Sequence, residues 1–563
     1  MTDPNEAIPT PAGDSPDAAS AAPEPEAPAQ GVPAQEAPAP ESAAPAAGGP
    51  AQQIAEGYAF TGAALELGTV MVDGTVDPAA KVRIPLAMMN RHGIIAGATG
   101  TGKTKTLQAI AEQLSANGVP VVMADIKGDL SGLSRPGESN DRIVTRAQQT
   151  GDDWAPQQNP VEFVSLGGEG IGVPIRATIT SFGPILLSKV LGLNATQEST
   201  LGLIFHWADQ KGLPLLDLKD LRSVIAYLTS DEGKPELKAI GGVSTQTAGV
   251  ILRSLTNLEH DGGDTFFGEP EIEPADLIRL SADGHGIVTL FELGDQAARP
   301  ALFSTFLMWI LADLFEFLPE VGDIDKPKLV FIFDESHLLF SGASKAFVEQ
   351  VVQTVKLIRS KGVGVFFCSQ LPTDIPDSVR SQLGARIQHA LRAFTPDDQK
   401  ALKTTVKTYP VSDVYKIDEA LTSLGTGEAI VTVLSEKGAP TPVAWTMIRA
   451  PRSSMVAVGD DGIKAAATAS PLYAKYGQAI DRDSAYERLA AKAAPPPEPA
   501  QAQAPAPAPA PAKKTSRKEP EEKSVVTEVL TSKPMQSFLR SAASAAGREF
   551  SRAIFGTGRK RRR

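Results

Sequence analysis

The sequence predicts an α/β fold built on a mostly parallel sheet, with one helical insertion and disordered tails at both ends. Three observations carry that expectation. Short β-rich runs alternate with helical stretches, and several runs are continuously apolar, as in Val330-Phe331-Ile332-Phe333, which fits strands buried on both faces of a parallel sheet. Residues 181–262 show helix after helix with no convincing strand. The two ends have compositions that do not fold.

Residues 1–52 of the 563 hold 12 prolines and 8 acids, with no Lys, Arg or aromatic residue. Residues 493–512 hold 8 prolines in an Ala-Pro run. Neither stretch buries enough apolar surface to offset the entropy of ordering it. The expected organisation is a disordered tail at 1–52 and a core split into 53–180 and 263–450 around the insertion at 181–262. A helical extension at 451–492, an Ala/Pro linker at 493–523 and a tail at 524–563 follow. That tail regains apolar spacing (Val525, Val529, Phe538, Leu539, Phe550, Ile554) before ending in Gly-Arg-Lys-Arg-Arg-Arg. It fits either a solvated tail or a docking element for a protein partner or an anionic surface.

The elements follow in order. Strands are expected at His92–Gly97, Val119–Asp125 and Val161–Leu166, each a short apolar or β-branched run. Gly286–Phe291, Lys328–Asp334, Gly362–Ser369, Ala385–Ala390, Glu428–Leu434 and Pro442–Arg449 continue the series. Helical spacing of apolar residues marks Lys103–Asn117, Thr196–Lys211, Asp217–Thr229, Val243–Leu258, Arg299–Phe317 and Lys345–Lys361. No fixed-period repeat is visible.

Charge and composition exclude several classes. Residues 1–52 carry −8, residues 53–492 carry −12 and residues 493–563 carry +8, giving −12 overall. A globally basic nucleic-acid binder is ruled out, so any DNA contact needs a local patch or the tail. Cys368 is the single cysteine, which suits a reducing cytoplasm. No basic-then-apolar start resembles a signal peptide. The most apolar helical candidate, Ala301–Phe315, contains Thr305 and Asp313. It falls short of the roughly 20 apolar residues a bilayer requires, so a cytoplasmic chain without a transmembrane segment is expected. The histidines at 92, 206, 260, 285, 337 and 389 form no metal-ligand spacing, and no Gly-x-Ser-x-Gly elbow occurs. Gly425-Thr426-Gly427-Glu428 precedes a strand instead of following one, so it is no dinucleotide fingerprint.

The strongest signal is Gly97-Ala98-Thr99-Gly100-Thr101-Gly102-Lys103-Thr104, with Lys105 after it, between the strand HGIIAG and a helix. This is the P-loop pattern in its strand–loop–helix context. Its glycines let backbone N–H groups curl toward phosphate oxygens beside a helix N-terminus. Lys103 is expected to reach the β- and γ-phosphates, and the Thr104 hydroxyl to bind Mg²⁺. A second acidic element is needed from another strand. Leu329-Val330-Phe331-Ile332-Phe333-Asp334-Glu335 supplies it, with Asp334 expected to hold Mg²⁺ and Glu335 to polarise the attacking water.

An acid beside the metal-binding Asp is what hydrolysing ATPases of the RecA-like kind carry, and no Asn-Lys-x-Asp guanine-reading run exists, so ATP is the expected nucleotide. Gln370, after Val363–Ser369, fits either a γ-phosphate contact or a plain polar strand end. Asp125-Ile126-Lys127-Gly128-Asp129 fits either a polar role near the nucleotide or a simple turn. Arg91, Arg359, Arg386 and Arg392 are candidates for the arginine that stabilises charge developing during phosphoryl transfer.

With these residues assembled, most of residues 57–450 resembles the HerA–FtsK superfamily of P-loop ATPases, closest to the bacterial HerA-like helicase proteins. The resemblance rests on Arg91 followed by HGIIAGATGTGKTKTLQ, then ADIKGDLSGL, KPKLVFIFDESHLLF, VKLIRSKGVGVFFCSQLPTDIP and LGTGEAIVTVLSEKGAPTP. It implies a RecA-like core with a helical insertion and a homo-oligomeric ring, commonly a hexamer, with ATP at subunit interfaces. It further implies that Arg359 is supplied to a neighbour's nucleotide, that Arg91 is a second arginine near the site, and that Gln370 is the sensor. No transmembrane anchor and no basic winged-helix module is recognised beside these motifs, and the core is acidic. Two functions therefore fit: a motor translocating double-stranded DNA, or an ATPase or nucleotide switch acting on protein partners.

Overall fold

The computed structural model describes residues 49–239, 241–242, 244–292 and 300–493. Residues 1–48 and 494–563, where the Ala/Pro-rich start, most of the linker and the basic tail fall, lie outside the described residues.

Twelve strands form one sheet: β1 (Ala64–Val72), β2 (Thr75–Pro85), β3 (Gly93–Ala96), β4 (Val121–Asp125), β5 (Val161–Leu166), β6 (Val173–Ile175), β7 (Val288–Glu292), β8 (Leu329–Phe333), β9 (Val363–Ser369), β10 (Ala385–Gln388), β11 (Glu428–Thr432) and β12 (Ala444–Ile448). Their order is β2-β1-β12-β11-β10-β3-β9-β8-β4-β7-β5-β6. From β10 to β6 every pairing is parallel. The other end, β2 to β10, is antiparallel.

The parallel strands are buried because helices cover both faces. Strands β3, β4, β7, β8 and β9 are buried at every residue. Neighbouring residues part company by the two-residue strand period. Ile95, Met123, Ile332 and Phe366 pack with Leu107, Ile110 and Leu114 of the helix Lys103–Ala116. Ile94, Val122, Phe331 and Phe367 join the opposite face, against the helices Pro300–Phe317 and Lys345–Ile358. The strand carrying the P-loop is separated from the acidic strand β8 by β9 alone, the RecA-like arrangement.

From β6 to His260 the described chain is mainly helical, with Ile179–Val190, Ala195–Gln210, Leu218–Thr229, Lys234–Ala239 and Thr245–His260, and an irregular stretch leads on to β7. Capping boxes at Asn194/Gln197 and Asp217/Asp220 fix two of the starts. Leu187, Leu201, Leu221 and Ile251 bury in the same cluster as Phe331 and Phe333 of the sheet, so these helices complete the core.

Three strands have no counterpart among the sequence-stretches expected above. β2 contains Asp77 and Pro78, which disfavour a central strand; it lies at the sheet edge, where they are tolerated. β6 is only three residues long. β1 shares a register-shifted pairing with β2 around Gly68, which blurs its alternation. The helix Pro50–Glu56 begins inside the Pro-rich segment, because proline is compatible with a first helical position, and it buries Ile54. No described helix is long and apolar enough to cross a membrane.

Candidate nucleotide site

The P-loop leaves β3 at Ala96 and enters the helix at Lys103. Gly97 (φ 152°), Gly100 (φ 81°) and Gly102 (φ 114°) all take backbone conformations that favour glycine. A side chain at Gly97 would lie 2.5 Å from His389 Cβ, so glycine is required there by contact as well as by φ. The Gly97 amide donates to Ser369 O at 3.3 Å and the Ala98 amide to Ala390 O at 2.8 Å. Thr101 Oγ1 donates to Ala98 O at 2.7 Å, and the Gly427 amide donates to Thr101 O at 2.9 Å. The loop is thus tied to β9 on one flank and to the segment after β10 on the other. Lys103 Nζ donates to the carbonyls of Gly97 (2.5 Å) and Ala98 (3.2 Å), which holds its ammonium over the cradle.

Beneath the loop lies His389, which carried no role in the sequence. Its Nδ1 is 2.8 Å from Glu428 O and its Nε2 is 3.0 Å from Thr106 Oγ1. A carbonyl only accepts, so Nδ1 carries the proton and Nε2 accepts from Thr106. Burial, which outweighs the Glu428 hydrogen bond, lowers its pKa to about 4 and keeps the ring neutral. The outer side of the P-loop helix is strapped by the chain after β12. The Glu112 carboxylate accepts the amides of Arg452 (2.9 Å) and Ser453 (3.1 Å), and Gln108 Nε2 donates to Ser454 O at 2.6 Å. Lys105 Nζ donates to Met455 O at 3.1 Å, so its side chain turns away from the cradle and only its amide stays at the helix start.

Asp334 follows β8, two strands from the P-loop. Burial, and then the adjacent Glu335 charge, raise its pKa; the Cys368 thiol on β9 donates to it. Glu335 has a left-handed backbone, φ 45°, a strain of roughly 1–2 kcal/mol for a non-glycine residue. The Glu335 amide donates to Asp334 Oδ1 (2.9 Å), and the Ser336 amide to Cys368 O (2.8 Å). The Glu335 carboxylate meets Lys127 Nζ at 3.0 Å, with His337 Nδ1 3.3 Å from its other oxygen. Gln370 is exposed just past Ser369, which pairs in register with Ala96; this sets Gln370 beside the first residue of the P-loop.

Asp125 closes β4 next to β8. It accepts the amides of Lys127 (3.2 Å), Asp129 (3.2 Å) and Leu130 (2.7 Å), building the turn that delivers Lys127 to Glu335. Burial raises Asp125 to about 6. Its register partner Glu292 on β7 is pushed by burial, and then by Asp125, to about 8.

One edge of the parallel sheet therefore gathers Gly97, Ala98, Thr99, Gly100, Thr101, Gly102, Lys103, Thr104, Asp334, Glu335 and Gln370. Arg91 and Arg359 lie elsewhere. Arg91 precedes β3 and Arg359 precedes β9, on the opposite edge. β9 spans seven residues, about 23 Å at roughly 3.3 Å per residue. Arg91 thus lies on the edge opposite the nucleotide loop of its own chain. Instead Arg91, Lys356, Arg359 and Arg386 line one cavity of about 650 Å³ whose lining includes no acid. The buried His92 there is lowered to about 4, by burial first and then by Arg359 and Arg91. Among the described residues no group of three or more His, Cys, Asp or Glu side chains is arranged to hold a metal.

Comparison with known proteins identifies the family. The family described as "Helicase HerA-like C-terminal" matches residues 72–562. The chain is 25% identical over 374 residues to the DNA double-strand break repair helicase HerA of Sulfurisphaera tokodaii, covering 65% of this chain and 66% of that protein. It is 22% identical over 374 residues to the protein of that name in Saccharolobus solfataricus, with the same coverage. The match thus spans slightly under two thirds of these relatives' length. Among solved structures, the bacterial conjugative coupling protein TrwBdeltaN70 in complex with sulphate is similar over 73% of this chain and 95% of its own, at 14% identity and a TM-score of 0.48. With the P-loop and the acidic strand in place and the family model matching 72–562, the chain belongs to the HerA-like C-terminal helicase family.

Proposed function

We propose that this protein hydrolyses ATP to ADP and phosphate with Mg²⁺ as a ring of identical subunits, and that the ring moves double-stranded DNA in the cytoplasm. The observation that carries the hydrolysis is the convergence of the P-loop with Asp334, Glu335 and Gln370 on one sheet edge. Lys103, seated on the loop carbonyls, turns to the β- and γ-phosphate oxygens. The residues present fit Mg²⁺: Thr104 and Asp334 offer hard oxygen donors, and Asp334 and Glu335 crowd two carboxylates against one lysine. They would hold the ion, which supplies neutralisation of charge on the phosphate oxygens. Glu335 takes the proton of the attacking water. Lys127 orients that carboxylate, and Gln370 hydrogen-bonds the γ-phosphate.

The arginines support a ring. Arg359 stands about 23 Å of β9 and Arg91 about 13 Å of β3 from their own loop edge, whereas a head-to-tail neighbour brings one copy's cavity edge to the next copy's nucleotide edge. The HerA relatives, named as DNA repair helicases, favour duplex DNA as the polymer. The net charge of −12 on residues 53–492 favours the second reading, an ATPase acting on protein partners.

ATPase turnover with and without duplex DNA at low salt, alongside the mass of the assembly, separates the two. A motor gives several-fold stimulation that fades steeply as salt rises. Equal turnover with and without DNA removes the motor and leaves the protein-directed ATPase.

A further inference from the structure

The polarity of a triphosphate on this loop is set by the helix that follows it. Residues two apart on a helix point about 160° apart, because each residue turns about 100°. Thr106 faces His389, on the β10 flank, at 3.0 Å. Thr104 consequently faces the other flank, where β9 and β8 bring Gln370, Asp334 and Glu335. A nucleotide with its γ end there extends its nucleoside toward the β10 flank.

That flank carries an aromatic side chain without a partner. Ala390 O accepts the Ala98 amide at 2.8 Å, and Arg392 Nη2 lies 3.5 Å from Thr99 O, so the segment after β10 runs along the P-loop itself. Two residues on, Phe394 is 83% exposed. Its backbone is fixed: the Phe394 and Thr395 amides donate to Asp398 Oδ2 at 3.2 and 2.9 Å, within the capping box that opens the helix Pro396–Val406. An apolar residue just before a helix cap ordinarily packs on the fourth helical residue. That residue here is Gln399, exposed and polar, so the helix offers Phe394 no cover. A ring on a fixed backbone, bare to solvent beside a phosphate loop, is suited to the face of a base.

We infer that Phe394 stacks on the nucleobase of the bound nucleotide, with Arg392 holding the segment 391–394 against the P-loop; this rests on the proposed phosphate site. The side chains of 391–394 are Leu, Arg, Ala and Phe, so base recognition there is by stacking, which every base supports.

The test compares ATP, GTP and inorganic triphosphate as ligands of the full chain by calorimetry, with the assembly mass measured in parallel. Phe394→Ala raises the Kd for ATP and GTP about tenfold, the lower part of the range for losing one stacked base, and leaves triphosphate unchanged. Phe394→Trp retains nucleotide affinity, and its added fluorescence is quenched by ATP and not by triphosphate. Unchanged ATP affinity in Phe394→Ala overturns the inference. So does an equal loss for ATP and triphosphate, or a fall in assembly mass accompanied by such an equal loss, which would make Phe394 a subunit contact. Wild-type protein that takes up neither ATP nor triphosphate sinks the phosphate site itself, and the stacking with it.

Discussion

His389 under the P-loop gives a pH dependence whose size follows from its surroundings. In the folded protein its pKa is lowered to about 4 by burial, against an ordinary value of 6.5. The unfolded chain binds the proton first, so stability falls as pH drops from 6.5 toward 4. Weighing the two titrations at about pH 5 gives a loss of about 2 kcal/mol relative to about pH 7.5. The full chain also contains His92, lowered like His389, and Asp125 and Glu292, both raised and therefore acting in the opposite sense. A difference measurement removes them. His389→Gln keeps a donor and an acceptor near Glu428 O and Thr106 Oγ1 but does not titrate, so its stability is nearly independent of this proton. Urea unfolding followed by tryptophan fluorescence at the two pH values should show wild type losing about 2 kcal/mol more than His389→Gln between them. Equal losses in the two proteins would refute the buried neutral imidazole and the hydrogen-bond chain drawn through it.

Other perturbations separate the parts of the site. Gly97→Ala forces a side chain to 2.5 Å from His389 Cβ at φ 152°; the expected result is a folded protein destabilised by roughly 1–3 kcal/mol, with weakened ATP uptake in calorimetry. Glu335→Gln should keep ATP bound while steady-state turnover falls roughly 10²–10⁴-fold, and normal turnover would assign the base elsewhere. Lys127→Met removes the 3.0 Å contact to Glu335 and should lower kcat more than it raises KM; a change in KM alone would make Lys127 a binding residue. Arg359→Ala should cut turnover roughly 10³–10⁵-fold, with activity recovering in mixtures with Lys103→Ala if the arginine serves a neighbour.

What the sequence reveals depends on how local the cause is. The P-loop is legible because its glycines, lysine and threonine are contiguous, and the backbone angles at Gly97, Gly100 and Gly102 supply the reason each is glycine. The buried parallel strands are legible because burial on both faces leaves continuous apolar runs such as those of β8 and β9. Of the antiparallel end, β11 and β12 are legible, whereas the outermost β2 is not, since it carries Pro78 and half-exposed positions that only an edge accommodates. Contacts across long separations leave no pattern. Lys127 meets Glu335 from 208 residues away, and His389 reaches Thr106 across 283. Nothing local distinguishes His389 from the other five histidines, and its place is set by the pairing of β10 with β3.

The same parallel pairing accounts for where the arginines fall. Strands that run side by side in one direction deliver all their C-terminal ends to one edge, so the P-loop, the acidic pair and Gln370 are necessarily neighbours. Residues that precede the same strands are as necessarily delivered to the other edge, and Arg91 before β3 and Arg359 before β9 are two of them. No side-chain rotation closes the gap of about 23 Å along β9, because an extended arginine reaches less than a third of it, and the four residues of β3 likewise separate Arg91 from the loop. In the cavity lined by Arg91, Lys356, Arg359 and Arg386, Arg91 meets the exposed Asp323 at 3.6 Å, and no acid stands in the lining itself, so positive charge is in excess there. On the proposed ring, the triphosphate of the adjoining copy meets that excess through Arg359, so turnover requires two subunits even though each carries a whole P-loop. Dilution supplies the check: turnover per subunit should fall as the assembly dissociates while ATP affinity per subunit changes little, and concentration-independent turnover by a monomer would return the arginine role to some residue on the nucleotide edge.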